Sequence, residues 1–259
     1  MSIIRTKRER LLDWIRSEDT EKIPVLIGYY SGEVAASYLG KENVTPDDII
    51  MVAEKTGTHS VTCVYGPTPI NAVPFVEDMK FREHWEELTD GTRLFTRVLE
   101  TPEGDLKEVL EFSKHRGATY REYFVKGEED LKSFAYFIRK TSETVVNNES
   151  IRKSLSVKLS EEIRNIKEKY RNIFPTMTHI CPSAMELMGN YMEQATAIYT
   201  LNDYRDLMEE LMDYHGELAR IFLEISAQNE IDIYNYAVNG YEWLSPDIYE
   251  RYMIPQARW

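Results

Sequence analysis

The sequence predicts an α/β fold built on a parallel sheet, and two patterns carry that prediction. Short apolar or β-branched runs fall at residues 23–32, 59–66, 176–182 and 232–237, and each leads into a stretch with helical features. Strands that alternate with helices pair in parallel, because the helix returns the chain across the sheet. A third pattern interrupts the alternation. Residues 93–113 read as two alternating runs around Pro102-Glu103-Gly104-Asp105, an antiparallel hairpin laid on the α/β plan. Four strands are by themselves too few to close a barrel, which takes eight.

In chain order, residues 4–18 set Leu11, Leu12, Trp14 and Ile15 among charges, which suits a surface helix with one buried stripe. IPVLIGYYSG (23–32) is a continuous apolar run, as in a strand buried on both faces. TPDDIIMVAEKTG (45–57) carries Thr45 as N-cap, Pro46 in the first turn, two acids at the positive end of the dipole and Gly57 at its close. HSVTCVYG (59–66) is a second strand, ended by Gly-Pro. Residues 128–141 and 150–173 are helical, the latter highly charged with Ile163, Ile166 and Tyr170 on its apolar side. TMTHICP (176–182) is a third strand, stopped by proline.

Helices follow at 185–201 and 203–228, the second with Leu207, Leu211, Leu218, Ile221, Phe222 and Ile225 in one stripe. Met185, Met188, Met192, Met208 and Met212 at this spacing read as core filler rather than as soft metal ligands. DIYNYA (232–237) is the fourth strand and Asn239-Gly240 a turn. LSPDIYERYMIP (244–255) then opens a helix with Ser245 as N-cap and Pro246 at the first helical position.

A chain of 259 residues with 42% hydrophobic and 12% aromatic content fits one large domain, here residues 1–259. Its net charge of −13 argues against general nucleic-acid binding, which needs a basic surface. No run of apolar residues is long enough to span a membrane, and the charged amphipathic N-terminus lacks the apolar core of a signal peptide. Two cysteines make no disulfide framework, and the simplest compartment is the cytoplasm.

The order of motifs resembles the uroporphyrinogen decarboxylase superfamily. The resembling pieces are IPVLIGYYSG, LETPEGDLKEV with its Thr-Pro-x-Gly turn, YREYFVKGEEDLKSFAYFI, CPSAMELMG and LSPDIYERYMIPQ. The resemblance implies a (β/α)8 TIM-type barrel with an inserted β-hairpin, incomplete at the C-terminus, its last strands lying beyond Trp259. It also separates two branches. The decarboxylase's carboxylate-binding arginines correspond to Tyr29 and Glu33, its pyrrole-binding aspartate falls in the acid-free TCVYGPTP, and its Asp-Ser step corresponds to Asn235-Tyr236. Porphyrin decarboxylation is therefore the alternative, and a non-catalytic tetrapyrrole- or partner-binding protein a further one.

The corrinoid-dependent methyltransferase branch is the closer match. It implies methyl transfer between a cobamide, taken as substrate, and a small acceptor, with a corrinoid protein or a small molecule as partner. A homo-oligomer is compatible with that reading. Members of this branch hold zinc through a His-x-Cys pair and a distant cysteine.

Candidate site residues follow from position. Tyr29, Tyr30, Tyr65, Asn235 and Tyr236, with Tyr234 beside them, stand at or just past strand ends, where β/α enzymes build substrate sites. His179 and Cys181 are i and i+2 on one strand and share a face, with Cys63 on another strand, so the three form a candidate zinc-ligand set. The ordinary reading of these three is strand packing. Asp232 and Glu33 are candidate acid–base groups, with plain surface charge as the simpler reading.

Overall fold

The computed structural model describes residues 6–16, 31–41, 44–64, 67–113, 118–180, 183–236 and 245–256. Helix α1 (Lys7–Ile15) opens on a Thr6 capping box, in which Thr6 and Glu9 satisfy each other's backbone amides. Helices α2 (Ser31–Leu39) and α3 (Pro46–Thr56) follow. The Thr45 cap and the left-handed Gly57 close of α3 are as its sequence predicts. Then come β1 (Thr62–Cys63), the short α4 (Pro69–Ala72), and strands β2 (Lys80–Glu87), β3 (Arg93–Thr101), β4 (Gly104–Phe112) and β5 (Ala118–Glu122). Two long helices, α5 (Glu128–Val146) and α6 (Glu149–Lys169), lead to β6 (Thr176–Ile180). The turn α7 (Ser183–Met185) runs into a π-helical segment, Glu186–Asn190, before α8 (Gln194–Asp203) and α9 (Arg205–Ala227). Strand β7 (Ile233–Tyr236) precedes α10 (Pro246–Ile248), which Ser245 caps and a second π-helical turn, Tyr249–Met253, extends.

The chain forms two compact units. The first is assembled from three separated stretches, up to Gly66, Ser154–Ile180 and Glu224–Asn235. It holds a three-stranded sheet in the order β1-β6-β7, with β1 and β6 parallel and Cys63 in register with Met177. Asp232 ties the amino ends of its strands together. Its carboxylate receives the Arg8 guanidinium, the Thr176 amide at 2.9 Å and the Thr176 hydroxyl at 3.1 Å, while its own amide donates to the Thr176 carbonyl at 3.1 Å. Leu11 of α1 packs with Val61 and Met177, and Cys63 and Ile233 lie against that cluster.

The second unit holds a four-stranded antiparallel sheet, β2-β3-β4-β5. One face is charged. The other carries three ranks set by the register: Phe81–Leu99–Leu106, Glu83–Arg97–Glu108, and Trp85–Phe95–Leu110–Tyr120. Helix α5 lies in the same core, with Leu131, Phe134, Ala135 and Ile138 buried at i, i+3, i+4 and i+7 spacing. Between Val109 and Leu110 the β4–β5 register shifts, so that Arg121 is an extra residue, a β-bulge. Tyr120 therefore pairs with Leu110 and Glu122 with Val109.

Three expectations are corrected here. The barrel is not formed: the described strands make a three-stranded sheet and a separate four-stranded antiparallel sheet, with no closed barrel and no eightfold β/α repeat. Alternating hydrophobicity finds strands but does not name their neighbours, and β2, β3, β4 and β5, which follow β1 in the chain, pair antiparallel with one another rather than with β1. The hairpin expected at 93–113 is real, but β2 and β5 flank it and extend it to four strands. The helix expected at 185–201 is broken by the π-helical turn and resumes at Gln194. The first expected strand lies largely outside the described residues, and its last two residues, Ser31 and Gly32, begin α2.

The Thr101-Pro102-Glu103-Gly104 turn shows why glycine is needed there. Gly104 has a φ of +129°, and an added Cβ would meet the Ser133 hydroxyl of α5 at 2.9 Å. Gly104→Ala should destabilise the chain by about 1–3 kcal/mol. Urea unfolding of the two proteins measures this, and equal midpoints would mean that the turn is not strained.

Candidate functional site

In an open parallel sheet, ligands bind beyond the carboxyl ends of the strands. Three of the sequence-predicted residues lie toward that end of the three-stranded sheet. His179 is near the end of β6 and Asn235 near the end of β7, and the Asn235 amide nitrogen meets His179 Nδ1 at 3.3 Å. Cys63 ends β1 and is half-buried. Register puts Cys63 beside Met177, and His179 is two residues on, so the cysteine and the histidine share a face. Burial holds the His179 pKa below that of an ordinary histidine, which keeps the ring neutral at physiological pH. A neutral imidazole oriented by a side-chain amide is competent as a proton acceptor or a metal ligand.

The other sequence-predicted positions divide in two. Tyr29, Tyr30, Tyr65 and Cys181 lie outside the described residues, as do the side chains of Glu33 and Tyr236. Tyr234 is partly exposed on β7. Asp232 sits at the amino end of β7, locked by Arg8 and Thr176 into a structural role. His59, upstream of β1, is buried with neither ring nitrogen hydrogen-bonded, and burial together with Lys7 and Arg10 lowers its pKa. Among the described residues no group of three or more histidines, cysteines or acids is arranged to hold a metal ion, and Cys181, the third member of the candidate zinc set, lies outside them.

The second unit contains a cluster that the motif reading passes over. Glu108, on the inner face of β4, is 2% exposed and bonded to Arg97 at 3.1 Å. Burial outweighs that guanidinium and pushes its pKa up to about 7. Glu186 opens the π-helical turn at 8% exposure, and its pKa also rises to about 7 through burial, against which the Asn190 amide donates to it at 2.7 Å. Tyr191, 2% exposed, packs against Phe124, Phe134 and Phe137, and its hydroxyl has no hydrogen-bond partner among the described residues. Elsewhere in the unit the buried His215 ring lies with its Nδ1 3.0 Å from the Ser183 hydroxyl, to which the partly buried Gln256 also donates at 2.8 Å.

One sequence signal did point to the acids. Glu108 shares strand parity with Leu106 and Leu110, and Glu186 stands in the apolar run MELM.

No protein-family model, curated protein or solved structure matches this chain. Among the described residues no helix is long and apolar enough to cross a membrane.

The raised pKa of Glu186 makes folding pH-dependent with a defined sign. The folded chain keeps a proton that the unfolded chain releases near pH 4.5, so stability is fully present below that pH and is lost as pH rises through about 7. The loss is about 3 kcal/mol. Glu186→Gln should therefore gain about that much on the native chain between pH 4.5 and 8, read from urea unfolding across that range. A difference that stays constant with pH would show that Glu186 ionises as an ordinary surface carboxylate.

Proposed function

We propose that the protein is a methyl-transfer enzyme that moves a methyl group between a cobamide and a small acceptor, working at the carboxyl ends of its parallel strands. The carrying observation is the meeting of His179 and Asn235, 3.3 Å apart, at the ends of β6 and β7. Two motifs that carry the resemblance to the superfamily form the hairpin and the capped helix that their residues predict. LETPEGDLKEV is a tight hairpin, and LSPDIYERYMIP begins with a helix capped by Ser245.

The chemistry asks little of the protein beyond positioning and proton transfer. The methyl carbon passes to a lone pair on the acceptor, the bonding electrons remain with the cobamide, and the acceptor gives up its proton. His179, neutral through burial and oriented by Asn235, is suited to take that proton. The net negative charge of the chain disfavours a substrate bearing many carboxylates, which weighs against porphyrin decarboxylation.

The test is turnover of methylcobalamin with 2-mercaptoethanol as acceptor, followed by the change in the cobalamin spectrum. Activity should appear with the native chain and fall by about 100-fold in His179→Ala, the scale on which general bases contribute. The variant's thermal midpoint serves as a check that it folds. Absence of turnover with the native chain, or full activity in His179→Ala, would overturn the reading.

A further inference from the structure

We propose that the open cavity between the end of β5 and the start of α8 in the second unit is a binding site for a guanidinium group, held by the Tyr120–Tyr123 pair and the Glu193 carboxylate. All three residues line the cavity, whose volume of about 410 Å³ suits a small molecule. Its two walls are fixed to each other by the backbone. The Val125 amide donates to the Tyr191 carbonyl at 2.9 Å, and Val125, itself a lining residue, bridges to Met192 in parallel. The walls are thus joined immediately before Glu193, where α8 is about to begin.

The aromatic wall comes from the irregularity in β5. Three steps along a regular strand would set residues 120 and 123 on opposite faces. The extra residue at Arg121 reverses the alternation, and the two rings stack with centroids 4.4 Å apart and planes 15° from parallel. Tyr120 remains 38% exposed and Tyr123 is half-buried, so solvent reaches the pair.

The charge comes from the other wall. Most of the ionised side chains around the cavity are already matched: Arg121 by Glu111, and Glu122 and Lys126 by each other, with Lys107 and Asp130 beside them. Glu193 is exposed and has no cation paired with it among the described residues. It stands at the N-cap of α8, yet its side chain makes no capping hydrogen bond, so its oxygens remain available as acceptors. An anionic ligand, by contrast, would need Arg121 or Lys126 to give up its acid.

These surfaces together select one kind of cation. Aromatic faces attract any cation, and a planar one can also lie flat against a ring. A carboxylate accepts two parallel N–H bonds from a guanidinium, a geometry that an ammonium does not offer. A guanidinium meets both demands, an alkylammonium only the charge, and a urea only the plane. The same sheet shows the pairing within the chain itself, with the Arg93 charge centre 5.4 Å from the Trp85 ring centroid.

The experiment is calorimetric titration of the full chain with n-butylguanidinium, n-butylammonium and n-butylurea. The guanidinium should bind saturably and most tightly, and the neutral urea should not bind. Glu193→Gln should weaken the guanidinium about tenfold, the scale of a hydrogen bond to a charged group. Tyr123→Leu should weaken it about threefold, whereas Tyr123→Phe, which keeps the ring, should bind as the native chain does. Circular dichroism of the variants confirms that they fold. A capped Gly-Arg-Gly peptide distinguishes the source of the group. Tighter binding than n-butylguanidinium supports the site and assigns it to an arginine of a partner segment, and weaker binding supports it as a small-molecule site. No saturable heat with the native chain, equal binding of n-butylurea or n-butylammonium, or unchanged binding by Glu193→Gln would each overturn the proposal.

Discussion

The first unit depends on the grip of Asp232. Its three stretches are widely separated in the chain, so closing them together carries a loop entropy that local contacts alone do not offset. Asp232 gathers all three. Arg8 comes from the first helix, Thr176 from the start of the middle strand, and Asp232 itself from the entry to the last strand. A carboxylate that accepts from a guanidinium, an amide and a hydroxyl is satisfied in several directions at once, which fixes position as well as proximity. Because parallel strands keep their register along their length, the clamp at the amino ends also decides what meets at the carboxyl ends. Three residues on from each partner stand His179 and Asn235. The residue read as a candidate acid is thus what lines up the residues read as a site.

In the second unit, burial decides the chemistry more than charge does. Glu108 has an arginine at 3.1 Å and still has its pKa raised, because removing a carboxylate from water outweighs one guanidinium that it shares with Glu83. Arg97 is itself set against the rings of Phe81 and Phe95, with its charge centre 5.1 and 5.0 Å from their centroids. The same effect acts in the opposite sense on His215, whose pKa burial lowers to about 4.

Much of this was legible locally and little of it globally. The helix caps at Thr45 and Ser245, the left-handed Gly57 and the Thr-Pro-Glu-Gly turn are set by neighbouring residues, so they could be read from the chain alone. Strand β2, KFREHWEE, escaped because its inward positions include Glu83 beside Phe81 and Trp85, which hides the alternation. Strand pairing was misjudged for a related reason: the pattern of β1, β6 and β7 says that they are strands, whereas whether they close a barrel depends on partners far away in sequence. His179 and Asn235 were both picked out for their strand-end positions. The contact between them depends on a register set by Arg8 and Thr176, which no periodicity displays. Glu186 was obscured by its methionine-rich surroundings, which read as core filler and drew the eye from the acid among them.

The extra residue at Arg121 works as a phase shifter. In a regular strand Tyr120 and Glu122 would point the same way, and Glu122 would stand opposite Glu108 as a second acid in that inner rank. The bulge turns the chain over by half a period between them. The tyrosine stays on the face of Phe95 and Leu110, while Glu122 emerges on the opposite face, where Lys107 binds it at 2.8 Å. One residue of misfit in the ladder thus sorts an aromatic from a charge that strict alternation would have forced onto the same side.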